Sequence, residues 1–158
     1  MASEEKRKSD FAIFAQTLFE EGDLIEFRLK RHKGTGRVLS FWFRFWDVPR
    51  QFARLRQLNG QGFHVWAGVL PRTRRGKRAS ACAPGRCLWS DFDRATLADV
   101  ISRIAAASMP APTLTVFSGH GIHVYWRLHE PAAPARLSEL VHDLAARLGS
   151  DPSVDDPA

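Results

Sequence analysis

Two aspartates one residue apart stand in the run LWSDFD at 88–93, among apolar and aromatic neighbours. Alternate side chains of a strand share a face, so Asp91 and Asp93 project to the same side, together with Cys87 and Trp89. Carboxylates this close repel each other unless a cation lies between them or one of them binds a proton. Because Mg²⁺ is commonly held by one or two carboxylates and substrate phosphates, the pattern indicates a divalent-metal site that handles phosphates.

The same aspartates also fit an ordinary structural role. Asp93 can stand at a solvated strand end and cap the helix that begins near Thr96. A D-x-D pair is common by itself, and it does not decide between the two interpretations.

A second group of candidate residues lies in VFSGHGIHVYW at 116–126. Ser118, Gly119 and Gly121 predict a tight turn between two strands, and glycines let backbone N–H groups approach a ligand. His120 is expected to be exposed in that turn and is left out of the site. The alternative is an ordinary glycine-containing hairpin.

In the strand after this turn, His123 shares a face with Tyr125 and Arg127. A histidine there can donate to a phosphate oxygen or act as an acid or base, and an imidazole within reach of the two aspartates would complete the site. Tyr125 is a candidate for stacking on a base or sugar, and Arg127 for a phosphate contact. A histidine that is merely hydrogen-bonded in the core is the simpler alternative.

The segment PRTRRGKR at 71–78 is strongly basic. Arg72 follows Pro71 at the strand end, and we expect it to contact nucleotide phosphates. The other cations are expected either to bind a nucleic-acid backbone or to be solvated: Arg74, Arg75, Lys77 and Arg78.

Length, charge and cysteine count restrict the classes of protein that remain. The chain has 158 residues, a formal charge of +6 and a pI near 10.0, which favours one domain with a polyanionic partner. Cys82 and Cys87 lack a second cysteine pair, so neither a zinc site nor a disulfide framework is expected. No signal peptide or membrane-spanning run is present, which predicts a cytoplasmic protein without a membrane partner.

Hydrophobic periodicity predicts an α/β (α+β) fold with a mixed, largely antiparallel sheet and packed helices. Helices are expected near 11–19, 48–58, 95–107 and 134–148. Strands are expected at 24–30, 37–46, 62–70, 87–93, 113–118 and 122–128, with a turn at 32–36.

LWSDFD, followed some thirty residues later by SGHGIHVYW, resembles the archaeo-eukaryotic primase superfamily, in its primase-polymerase branch from plasmids, phages and mobile elements. That family's acidic strand motif is followed by a motif of the form S-G-x-G-x-H. LIEFRLK and HVWAGVLPR resemble earlier strands of the family, so the likeness covers roughly residues 20–150.

The resemblance implies a palm-like sheet of RNA-recognition-motif type beside a small N-terminal α/β unit. We expect a single catalytic domain over 1–150, with an N-terminal helix and hairpin at 1–46 and the palm-like core at about 62–148. The acidic tail at 151–158 is expected to be the truncated start of a longer segment, because family members usually continue into an Arg-rich region.

The implied activity is DNA-directed nucleotidyl transfer with Mg²⁺ or Mn²⁺, from an NTP or dNTP on a single-stranded DNA template, with a helicase of the same replication system as a possible partner. By position, Asp91 and Asp93 would be metal ligands, and Ser118, Gly119 and His123 would contact the nucleotide's phosphates. The family's third carboxylate corresponds to Asp151, with Asp155 and Asp156 as rivals.

Two other interpretations stay open at this point. A non-catalytic DNA-binding replication-initiator module suits the charge and the aromatic content, but it gives no reason for Asp91 and Asp93. A metal-dependent nuclease or a sugar-nucleotide transferase also uses a D-x-D pair.

Overall fold

The computed structural model describes residues 4–32 and 37–155 of the chain. The helices in these ranges are α1 (Glu4–Leu18), α2 (Val48–Gly60), α3 (Leu97–Ala106) and α4 (Pro134–Leu148). The strands are β1 (Leu24–Arg31), β2 (Leu39–Arg44), β3 (Phe63–Ala67), β4 (Gly85–Asp93), β5 (Leu114–Phe117) and β6 (Gly121–Ala132). Most of the turn predicted at 32–36 lies outside the described residues.

The chain forms two compact units that divide after Ala83. The first contains a three-stranded sheet of order β2-β1-β3, and the second a three-stranded sheet of order β4-β6-β5. Every pairing between these strands is antiparallel. The predicted α+β class is confirmed, and the two units each contain one of the two small sheets. Because β3 pairs with β1, it lies in the first unit, whereas the palm-like core was expected to begin near residue 62.

The first sheet packs one face against its own helices. Ile25, Phe27 and Leu29 alternate along β1 and are buried, as their spacing predicts. The Phe27 ring centroid lies 6.1 Å from that of Phe11 on α1, and Phe11 lies 5.2 Å from Phe52 on α2. These rings form the apolar centre of the first unit.

The second sheet also buries one face against helices. Phe92 of β4 and three residues of β6 contact α3 and α4 in one core cluster. Its members are Phe92, Val100, Ile104, Ile122, Val124, Trp126, Leu144 and Leu148. Burial of each such side chain contributes about 1.5–3 kcal/mol to the free energy of unfolding, so this face of the sheet stabilises the fold. The opposite face of β4 and β6 carries the polar candidates.

Thr96 caps α3. Its hydroxyl accepts a hydrogen bond from the Asp99 backbone N–H, and the Asp99 carboxylate accepts one from the Thr96 N–H. Asp93 is exposed at the last position of β4. The helix-capping role considered for Asp93 is therefore wrong, because a complete capping box already occupies the helix start.

Within the described ranges, no helix combines the length and the apolarity that crossing a bilayer requires.

Candidate active site on the second sheet

The pairing of β4 with β6 brings the acidic motif and the histidine motif together. Asp91 lies directly opposite His123, and Asp93 lies opposite Gly121. His123 Nε2 is 3.3 Å from Asp91 Oδ2, with both side chains partly exposed. The imidazole and the Asp91 carboxylate therefore share one face of the sheet.

The Asp91 carboxylate stands in an excess of negative charge. Burial raises the pKa of Asp91 above its ordinary value of 3.8, the His123 imidazole lowers it, and the charges of Asp93 and Asp151 raise it further. Asp91 Oδ1 is buried and accepts no hydrogen bond from the described residues. The site therefore has an acceptor without a partner and more acids than its one imidazole can balance.

Asp151 reaches this site through the backbone. Its N–H donates to the Asp91 carbonyl oxygen at 2.9 Å. Its carboxylate accepts from the Ser153 backbone N–H at 2.8 Å and from the Ser153 hydroxyl at 2.9 Å. Of its two rivals, the Asp155 side chain and the whole of Asp156 lie outside what the structure describes.

Two serines that the sequence pattern did not single out hold Asp151 close to Asp91. The hydroxyls of Ser90 and Ser150 lie 2.6 Å apart and share a hydrogen bond. Ser90 is buried on β4, and Ser150 follows Gly149, the residue that caps the end of α4 with a left-handed φ of 61°. The signal was present in the sequence as a polar residue at a core-facing position of β4, but its partner is 60 residues away.

The donor set fits a hard divalent cation. Carboxylate oxygens are the ligands that Mg²⁺ prefers, and a buried oxygen without a partner is what such an ion would satisfy. In the described part of the chain, however, His, Cys, Asp and Glu side chains form no cluster of three that could hold a metal. The fit is therefore to an ion held by one or two carboxylates together with substrate phosphates, rather than to an all-protein cage.

The predicted turn between β5 and β6 is closed by Ser118. Its hydroxyl accepts from the His120 and Gly121 N–H groups at 3.3 and 3.0 Å, and its own N–H donates to the Gly121 carbonyl at 3.1 Å. Gly119 has a φ of 90°, which a residue with a side chain rarely adopts. A Cβ on Gly121 would collide with the Phe92 carbonyl oxygen. The glycines therefore allow the turn to close directly against β4.

Tyr125 and Arg127 lie on the same face as His123, but at increasing distance from the acids. Tyr125 is 5% exposed and stands opposite Trp89, and its burial, followed by the charge of Asp91, raises the pKa of the phenol. Arg127 stands opposite Cys87, four residues from His123, or about 13 Å along an extended strand. Burial raises the pKa of Cys87 to about 11, and the Arg127 charge opposes that rise.

Arg72 lies in the first unit and is already engaged by protein groups. Its Nη2 is 2.7 Å from Glu26 Oε2, and its Nη1 donates to Cys82 Sγ at 2.6 Å. Arg28 also contacts the Glu26 carboxylate, at 3.2 Å. A phosphate contact by Arg72, as its sequence position predicts, would have to compete with this buried ion pair.

The other cations of the basic loop are also in the first unit. Each is exposed, as expected for Arg74, Arg75, Lys77 and Arg78. The Lys77 ammonium donates to the Val38 carbonyl at 3.0 Å, and Arg74 approaches the Ser80 hydroxyl at 3.4 Å. These exposed side chains remain available to a polyanion.

No protein-family model matches this chain, and no curated protein does. Solved structures do match. The AEP domain of the primase-polymerase of cyanophage S-2L has a TM-score of 0.78 at 19% identity, over 95% of this chain and 77% of that one.

Two structures of the primase RepB′ are also similar to this chain. RepB′ itself has a TM-score of 0.65 at 15% identity, over 97% of this chain and 46% of that one. Its catalytic domain in complex with initiator DNA has a TM-score of 0.63 at 17% identity, over 95% of this chain and 72% of that one. The likeness in fold that LWSDFD and SGHGIHVYW predict is confirmed.

Proposed function

We propose that this chain, which has the fold of archaeo-eukaryotic primase-polymerase domains, is the catalytic domain of a DNA primase or polymerase. It would add nucleotides from an NTP or dNTP to a 3′-hydroxyl on a single-stranded DNA template. The observation that carries the proposal is the 3.3 Å approach of His123 to Asp91, with Asp93 and Asp151 close enough to raise the pKa of Asp91. The fold shared with the RepB′ catalytic domain, whose structure contains initiator DNA, supports the choice of template.

The acids provide the binding site for the ions that this chemistry uses. Asp91 and Asp93 would hold Mg²⁺ or Mn²⁺, and Asp151, whose carboxylate is hydrogen-bonded to Ser153, is the candidate for a third carboxylate. Bound ions of this kind lower the pKa of the attacking hydroxyl and neutralise the leaving pyrophosphate. Burial and the charges of Asp93 and Asp151 raise the pKa of Asp91, and a bound cation would oppose that rise.

The remaining residues bind and orient the triphosphate. The 3′-oxygen forms a bond to the α-phosphorus while the bond to the pyrophosphate oxygen breaks, and negative charge spreads over the phosphate oxygens. Asp91 Oδ2 orients the His123 imidazole, which in its protonated form would donate to one of those oxygens. The turn at Ser118 and Gly119 follows β5 beside this imidazole and would bound the phosphate site. Tyr125 would support the sugar side, with Arg127 as a more distant cation.

The basic loop would hold the template backbone. Arg74, Arg75, Lys77 and Arg78 are exposed, and the chain carries a formal charge of +6. Contacts of this kind release counterions from the nucleic acid, so template affinity is expected to fall as salt rises.

A template-extension assay tests the proposal. The protein is incubated with a primed or unprimed single-stranded DNA template, labelled NTPs or dNTPs and Mg²⁺ or Mn²⁺, and product length is measured. We expect template-dependent products that lengthen with time and disappear with a chelator. Shortening of the DNA would instead identify a nuclease. Binding of DNA without any synthesis, under all of these conditions, would favour the non-catalytic initiator module.

A further inference from the structure

The outer face of the first sheet carries rings and cations in register. Ile25, Phe27 and Leu29 point toward α1 and α2. The residues between them on β1 therefore point to the outer face. On that outer face, Lys30 of β1 lies opposite His64 of β3, and Arg28 lies opposite Trp66. The cationic side chains of β1 therefore lie opposite the aromatic side chains of β3.

His64 and Trp66 form a row of rings with His32, which follows β1, and we call these three side chains the ring row. The ring centroids of His32 and His64 are 3.9 Å apart, and those of His64 and Trp66 are 5.4 Å apart, with the latter pair stacked at 28°. Trp66 is 45% exposed. A tryptophan this exposed, at the end of a stacked row, offers a flat apolar surface of the kind on which nucleobases stack.

The charge around the ring row suits a polyanion. Lys30 is exposed on the same face. The one carboxylate that β1, β2 and β3 place there is Glu26, and it is buried against Arg72 at 2.7 Å. The basic loop adjoins this sheet, because Arg28 reaches the Lys77 carbonyl at 3.4 Å and the Lys77 ammonium reaches the Val38 carbonyl at 3.0 Å. A protein partner would not require this combination of rings and excess cations, whereas a single nucleic-acid strand would use both.

We propose that the ring row and Lys30 form a binding surface for single-stranded nucleic acid. Bases stack on Trp66 and His64, and the backbone phosphates meet Lys30 and the cations of the basic loop. Such binding is tolerant of sequence, since every base has a π face. The surface shares the cations of the basic loop with the template contact proposed above, and in that respect it rests on the proposed function. The ring row and Lys30 take no part in nucleotidyl transfer, so a binding test of these residues can fail while synthesis is retained.

The first test is the affinity for a labelled oligothymidylate, measured by fluorescence anisotropy without metal or nucleotide. We expect Trp66→Ala to bind the oligomer roughly 5- to 100-fold more weakly than the wild type, because a stacking partner is lost. Trp66→Phe should retain most of the affinity. Trp46→Ala is the matched control, because Trp46 is also exposed, at 53%, but lies outside the ring row. Its affinity should equal that of the wild type.

A strand without bases separates stacking from charge. With an abasic oligomer of the same length, Trp66→Ala and the wild type should bind equally well. Lys30→Gln should weaken binding to both oligomers and reduce the number of counterions released by about one.

Two results would overturn the inference. One is an oligothymidylate affinity of Trp66→Ala equal to that of the wild type, or an equal loss in Trp46→Ala. The other is self-association of the wild type that Trp66→Ala abolishes in sedimentation experiments, which would assign the surface to a second copy of this chain. Because neither measurement requires synthesis, a failed extension assay would not affect them.

Discussion

The two sheets each carry an ion pair involving a carboxylate, and the two pairs have opposite charge balance. Glu26 on β1 is fully buried and lies within 3.2 Å of two guanidinium groups, those of Arg28 and Arg72. Asp91 on β4 contacts one imidazole at 3.3 Å and has two further carboxylates nearby. The first carboxylate is outnumbered by cations, and the second by anions.

The balance of charge around each carboxylate distinguishes a structural ion pair from a binding site better than the burial of the carboxylate does. A buried carboxylate needs compensating charge, and the first unit supplies it from its own side chains. The pKa of Asp91 is raised by burial first and then by the charges of Asp93 and Asp151, although the His123 imidazole opposes the rise. An incoming cation would also oppose it, which is why we place the chemistry on the second sheet.

The largest expected effect on stability is at the first pair. Glu26→Gln leaves the buried Arg72 charge without its counterion, and the free energy of unfolding should fall by about 3 kcal/mol. Chemical denaturation measures this. Glu139→Gln is the control, because Glu139 pairs with Arg136 on the exposed surface of α4 and should change stability little.

A different outcome at Glu26 would break the comparison. If Glu26→Gln is as stable as the wild type and instead raises the KM for nucleotide, Arg72 is acting as the phosphate contact predicted from its position after Pro71.

A smaller effect is expected from the serine pair that fixes Asp151. Ser150→Ala leaves the buried Ser90 hydroxyl without its partner, which should cost about 1–2 kcal/mol of stability. It should also lower the rate of nucleotide incorporation several-fold, because the Asp151 amide would hold Asp91 less firmly. Ser102→Ala, an exposed serine on α3, should change neither quantity. Loss of stability with an unchanged rate would mean that Asp151 takes no part in the reaction.

The smallest expected effect is a gain in the free energy of unfolding when Asp91 is replaced by Asn. A carboxyl whose pKa is raised by folding destabilises the native state where it is ionised, so Asp91→Asn should be more stable than the wild type at neutral pH. The gain should vanish as the pH falls below the ordinary value near 3.8, where the carboxyl is protonated in both states. Denaturation in metal-free buffers across this range measures it. A loss of stability at neutral pH would put Asp91 in the same class as Glu26.

Sequence patterns predicted the elements of the fold and the faces of the site residues. The apolar stripe of α4 predicted a helix at 134–148, where it lies, and the alternation in LWSDFD placed Asp91 and Asp93 on one face, opposite to Phe92 in the core. These are local signals, since one element's periodicity shows which side chains turn inward.

The long-range contacts could not be predicted in the same way. Strand periodicity does not choose a strand's partner, and β3 pairs with β1 instead of extending the second sheet. Glu26 resembles a solvated residue in the alternation of LIEFRLK, but Arg72, 46 positions later, buries it. The alternative in which Asp93 caps α3 could not be excluded from sequence, because Asp93 and Thr96 are both good N-caps and only the backbone decides between them.

Nucleotide incorporation by Asp91→Asn tests the central claim most directly. The rate is compared with the wild type and with Asp143→Asn, which removes an exposed carboxylate of α4, on single-stranded template with Mn²⁺ and after folding has been confirmed by circular dichroism. We expect the rate of Asp91→Asn to fall by about 10³-fold or more and that of Asp143→Asn to stay unchanged. A folded Asp91→Asn variant that incorporates nucleotides at the wild-type rate would contradict the assignment of the active site to the second sheet.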